Sequence, residues 1–141
     1  MRVNALGKYI GVLHRRFQTE ISRQLKLPAL NATNANFLLF ISEHEQVTAK
    51  QIATELAINK GLVSRELKRL ETAGYIKRLP VVADHRTAWV QITPAGLTAC
   101  QTINQLMTQL WDQVLAETES KDLTTVAQQL ATWSQRAEDL H

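Results

Sequence analysis

Residues 59–76 read Asn59-Lys-Gly-Leu-Val63-Ser64-Arg65-Glu-Leu67-Lys68-Arg69-Leu70-Glu-Thr-Ala-Gly74-Tyr75-Ile76. Val63, Leu67 and Leu70 recur at steps of three and four, the spacing that stacks side chains on one face of an α-helix. Asn59 stands where a side-chain cap is needed, and Gly74 suits the left-handed conformation that closes a helix, so a helix over 60–73 is expected. Opposite the apolar stripe lie Gly61, Ser64, Arg65, Lys68 and Arg69. A helix with one apolar side and one basic side can rest on a core and enter a DNA major groove. The competing reading is a solvated charged face.

The neighbouring residues favour the first reading. Upstream, Thr48-Ala-Lys-Gln51 has the pattern of a capping box and opens a helix of about two turns carrying Ile52, Ala53 and Leu56 inward. Ala57-Ile58-Asn59 then links it to the basic helix, which gives the helix-turn-helix order. Downstream, 75–80 and 87–92 read as strands joined by a loop over 81–86, with Val90 and Ile92 facing inward. Lys77 and Arg78 on the first strand, with His85 and Arg86 in the loop, gather cations where a wing meets the minor groove. Asp84 among them is read as orienting Arg86 or the loop backbone. In the basic helix, Asn59, Lys60, Gly61, Leu62, Ser64 and Arg65 lie near the N-terminus and are the expected base readers. Lys68 and Arg69, further along, are expected on phosphates.

The segment Asp84-His-Arg86-Thr-Ala-Trp-Val-Gln-Ile92-Thr93 resembles the Asp-x-Arg…Leu-Thr wing signature of the MarR regulators. Val47-Thr-Ala-Lys-Gln-Ile52-Ala53 and Asn59 to Ile76 resemble that family's two helix-turn-helix helices. Gly61 and Leu62 stand where the family often has hydroxyl residues, and Ile92 replaces its usual Leu. The resemblance covers essentially the whole chain. It implies a bacterial transcription regulator, usually a repressor, that binds a pseudo-palindromic operator in double-stranded DNA as a homodimer. It also implies a small aromatic or phenolic effector, bound in a pocket that His14, Phe17, Phe37, Phe40 and Trp111 would line. By position alone, those five read sooner as ordinary core.

The flanking segments supply long amphipathic helices. Leu6, Ile10, Leu13, Phe17, Ile21 and Leu25 mark a helix over 4–26 that ends near Pro28. A second starts after Thr33 and runs through Phe37, Leu38, Phe40 and Ile41 to about His44. Thr93-Pro94 starts a helix over 95–117 with Leu97, Ile103, Leu106, Leu110, Val114 and Leu115. Ser120 is expected to cap a last helix, 121–140, with Leu123, Val126, Leu130, Trp133, Ala137 and Leu140. The expected fold is mainly α (α+β): a winged helix-turn-helix domain over 31–93, with dimerisation helices in 1–30 and 94–141. Leu6, Ile10, Leu13, Leu110, Val114, Leu123, Val126, Leu130 and Trp133 are the expected dimer contacts. Packing within one chain is the alternative.

Composition narrows the function. The 141 residues suit one domain with an appendage. Residues 47–93 carry eight Lys/Arg against four acids, and residues 94–141 two against six, so a basic centre is set beside an acidic tail. No apolar run approaches the roughly 20 residues of a membrane span, and the N-terminus lacks a signal peptide, so a cytoplasmic protein without membrane contact is expected. Cys100, the one cysteine, reads as a packing residue, and His14, His44, His85 and His141 form no i, i+4 pair. No metal, cofactor or enzymatic activity is expected, because no nucleophile elbow, phosphate-cradling Gly loop or metalloprotease motif occurs. A winged helix serving only protein interaction is the other class of function. It calls for an apolar or acidic recognition face, whereas this one is basic.

Overall fold

Thr48 and Asn59 start their helices as the sequence expects. In the computed structural model, which describes residues 2–140 apart from the side chains of Asp84, His85 and Arg86, the Thr48 hydroxyl accepts from the Gln51 N–H at 3.1 Å and Gln51 Oε1 accepts from the Thr48 N–H at 2.8 Å. Asn59 Oδ1 accepts from the N–H groups of Gly61 and Leu62 at 2.8 and 3.3 Å. The elements are α1 (Asn4–Gln24), α2 (Ala32–Ser42), α3 (Ala49–Glu55), α4 (Lys60–Thr72), β1 (Ile76–Val81), β2 (Asp84–Ile92), α5 (Pro94–Val114) and α6 (Ser120–Ala137). They fall into two compact units, Met1–Thr108 and Gln109–His141.

In the first unit, α2 is the central helix. Phe37, Leu38 and Ile41 from it are fully buried with Ile52 of α3, Val63, Leu67 and Leu70 of α4, Val47, Val90 of β2 and Ile103 of α5. Each such side chain contributes about 1.5–3 kcal/mol when fully removed from water. The second helix begins earlier than the sequence reading had it. Asn31 and Asn34 cap it reciprocally, the Asn34 N–H donating to Asn31 Oδ1 at 2.9 Å and the Asn31 N–H to Asn34 Oδ1 at 2.8 Å. Asn takes the place that Glu or Gln holds in the usual capping box, so the pattern is not visible in sequence. At the start of α6 the sequence expectation also fails. Ser120 is the first helical residue, and Glu119 at the cap position makes no side-chain capping bond.

β1 and β2 pair antiparallel from Ile76↔Ile92 to Pro80↔Ala88, after which the register jumps to Val81↔Asp84. Residues 84–86 therefore lie in β2, not in a loop over 81–86, and the tip is Val82-Ala83. Pro80, with no N–H to give to the ladder, sits at the irregularity that absorbs the extra residues. Val47 bridges to Val90 on the other side of β2, with N···O distances of 3.0 and 2.7 Å, and so ties the residue ahead of α3 to the hairpin.

Gly74 adopts φ +87° as α4 ends. Thr93 then joins the hairpin to α5. Its hydroxyl donates to the Gly74 carbonyl at 2.6 Å and accepts from the Gly96 N–H at 3.1 Å, while its own N–H reaches the Tyr75 carbonyl at 3.0 Å. Gly96 permits that approach, because a Cβ there would collide with the Tyr75 carbonyl oxygen.

Candidate nucleic-acid interface

The apolar stripe of α4 holds the helix on the core and leaves Lys60, Gly61, Ser64, Arg65, Lys68 and Arg69 exposed, with the capping Asn59 beside them. Leu62 departs from that group. It is half-buried and turned to a cavity on the other side of the turn. Further along α4, Arg65, Lys68, Arg69, Thr72 and Ala73 line with Ala29 a concavity of about 630 Å³. Three cations, Arg65, Lys68 and Arg69, stand along it.

Two polar residues behind this surface escaped the sequence reading. Glu66, 8% exposed, accepts from Asn34 Nδ2 at 2.9 Å, and the fully buried Asn34 also donates to the Ala29 carbonyl at 2.8 Å. Glu66 lies 3.5 Å from the Arg69 guanidinium. The helical period held the signal for it, since position 66 falls on the same face as 63, 67 and 70. Tyr75 adds a second tie by donating its hydroxyl to the Pro28 carbonyl at 2.8 Å, and burial pushes its phenol pKa upward.

In the wing, Lys77 is exposed but Arg78 is half-buried, its Nε 3.7 Å from the Glu71 carboxylate. Strand alternation separates the two: Arg78 shares the inner face with Ile76, and Lys77 shares the outer face with Leu79. Trp89, paired with Leu79, is half-buried. The roles expected for Asp84, His85 and Arg86 rest on side chains outside the described residues.

A second cavity, about 600 Å³, is lined by His14 and Gln18 of α1, Thr33, Asn36, Leu39 and Phe40 of α2, Glu43, Leu56, Ala57, Ile58 and Leu62. Of the five residues expected around an effector, His14 and Phe40 line it. Phe37 is wholly inside the core, and Phe17 is half-buried outside the lining. Trp111 belongs to the second unit, where it is 39% exposed. Residues 37–41 of α2 are all apolar, so no periodicity told cavity-facing residues from core ones there.

Cys100 is buried, its thiol 3.7 Å from the Leu38 carbonyl, and burial raises its pKa, with a smaller lowering by Ser42. Among the residues expected at a dimer contact, Ile10, Leu13, Val114, Val126, Leu130 and Trp133 are exposed, while Leu6, Leu110 and Leu123 are half-buried.

A capped helix pair whose second member presents a basic face, followed by a hairpin, defines a winged helix-turn-helix protein of the DNA-binding class. The model of the MarR family matches residues 30–87, from the approach to α2 into the wing. An uncharacterized HTH-type transcriptional regulator of Bacillus cereus is 33% identical over 147 residues, which cover 98% of this chain and 97% of that one. The chain belongs to the MarR family of DNA-binding transcription regulators. Among solved structures, a MarR protein from Peptoclostridium difficile shares the fold at TM-score 0.88 and 19% identity, over 99% of this chain and 90% of that one. A mutant MarR from Escherichia coli complexed with operator DNA does so at TM-score 0.77 and 22% identity, over 91% of this chain and 92% of that one.

Proposed function

We propose that the protein is a homodimeric repressor that sets α4 of each protomer in successive major grooves of a pseudo-palindromic operator. The observation that carries this reading is the exposed basic face of α4, fixed at one end by the Asn59 cap and on its inner side by Val63, Leu67 and Leu70. Asn59, Lys60, Gly61, Ser64 and Arg65 then read bases, Lys68 and Arg69 hold phosphates, and the wing with Lys77 and Arg86 follows the adjacent minor groove. The related MarR complexed with operator DNA supports the same use of the fold. Residues 31–93 serve as the DNA-binding part and act in the cytoplasm.

Dimerisation through 1–30 and 94–141 is supported by unpartnered apolar surface. Val126, Leu130 and Trp133 of α6 are 55%, 38% and 41% exposed at steps of four and three, the spacing of a helix–helix seam. A second copy covers such a surface and supplies the two-fold symmetry of a palindrome.

An aromatic effector in the His14–Phe40 cavity would touch α1, α2 and the α3–α4 turn at Ala57 and Ile58. A ligand that binds better when the turn is displaced must weaken operator binding by the same factor. Among the described residues the cavity lining holds one carboxylate, Glu43, and no Lys or Arg, which suits a neutral or cationic ring over an organic acid.

Selection of bound duplexes from a random pool tests the reading. The expected winner is an inverted repeat with half-site centres about 10 base pairs apart, bound with a steep salt dependence. Folded protein that enriches no sequence would overturn operator recognition and favour a protein-interaction role.

A further inference from the structure

A carboxylate inside a helix that meets phosphates is costly twice, once through loss of hydration and once through repulsion from the DNA. Glu66 is that carboxylate, and both of its oxygens are engaged. Oε2 accepts from Asn34 Nδ2 at 2.9 Å, and Oε1 lies 3.5 Å from a guanidinium nitrogen of Arg69. Asn34 is itself held on three sides, donating to the Ala29 carbonyl at 2.8 Å, accepting from the Asn31 N–H at 2.8 Å and donating to Glu66. The links run from the cap of α2, through the interior, to the basic concavity that Arg69 lines with Ala29. Arg69 remains half exposed, with a side-chain exposure of 52%. A guanidinium has five N–H donors, so holding one side of it leaves the others for a phosphate.

We propose that Asn34 and Glu66 are positioning residues for DNA binding, which orient Arg69 as a phosphate contact and lock the loop at Ala29 to the recognition helix. The proposal rests on α4 meeting DNA and adds how one of its cations is aimed. It also explains why an acid is kept in a basic helix.

The sign of one substitution decides. Glu66→Gln keeps an acceptor for Asn34 while removing the charge that holds Arg69. An acid with no positioning role would, once neutralised, let a polyanion bind more tightly. Positioning predicts the opposite: binding of a random-sequence 30-base-pair duplex weakens about threefold, and the log–log salt slope becomes shallower by about 0.9, the loss of one phosphate contact. Arg69→Ala should show the same loss, and the double variant should be no weaker than Arg69→Ala alone. Tighter or unchanged binding by Glu66→Gln, or losses that add in the double variant, would overturn the proposal. Arg69→Ala changes an exposed position that the fold does not need, so an unchanged slope there overturns it even if Glu66→Gln fails to fold. Wild-type protein that binds no duplex at any salt removes the DNA reading itself.

Discussion

At the scale of single residues, the exposed cations of α4 divide by distance from its capped end. Arg65, less than two turns from Asn59, is the arginine nearest that end and is proposed to read base edges, so Arg65→Ala should lose about 1–3 kcal/mol on the selected operator and relax base preference. Lys68→Ala should weaken operator and random duplex alike and flatten the salt slope, both read by fluorescence anisotropy. Equal losses on the two DNAs for Arg65→Ala would remove it from the base readers. Cys100 makes a different prediction. Burial raises its folded-state pKa, so the neutral thiol suits the fold. Its contribution to stability is complete below the unfolded thiol pKa of about 8.5 and is lost as pH rises beyond that toward the folded value. Urea midpoints should therefore fall more steeply above pH ~8.5 for the wild type than for Cys100→Ala; parallel curves would contradict this. The Asn34–Glu66 pair belongs to this scale too, because it turns one exposed arginine from a free charge into an oriented donor.

Secondary-structure elements here are set by their ends. Reciprocal caps at Thr48 and Gln51, the Asn59 cap and the positive-φ Gly74 follow from local chemistry, and the sequence shows all three. The start of α2 and the start of β2 do not follow from it. Asn34 caps because its amide is also wanted by Ala29 and Glu66, and β2 extends to Asp84 through a register break at Pro80. The α5 start is a point of close approach rather than of propensity. Gly96→Ala should destabilise by about 1–3 kcal/mol in urea unfolding, since the added methyl meets the Tyr75 carbonyl and Ile92 Cγ1, and backbone cannot move aside as a side-chain tip can. A midpoint equal to the wild type would show that the junction yields. Arg78 also belongs here: alternation along β1 turns it from Lys77 toward Glu71, so two adjacent cations serve different faces.

For the whole molecule, the question is what covers the apolar surface of α6, in which no described residue is buried. If a second copy covers it, Trp133→Asp should convert a dimer to a monomer in sedimentation equilibrium. The melting of the first unit should stay intact, while affinity for an inverted-repeat operator drops far more than for a single half-site. A variant that stays dimeric, or a wild type that is monomeric, would redirect those helices to another role. The sequence by itself determined the winged helix-turn-helix order, the buried stripe of α4, its exposed basic face and two of its caps. Those depend on residue spacing and on hydrogen bonds within a few residues, and both are written along the chain. Only the tertiary structure decided that Phe37 goes to the core while Phe40 lines a cavity, that Arg78 turns to Glu71, and that Asn34 reaches Glu66. Phe37 and Phe40 part within one unbroken apolar run, 37–41, whose positions look alike in sequence, and the pairings of Asn34 with Glu66 and of Arg78 with Glu71 join different elements, so the spacing within either element does not specify the partner.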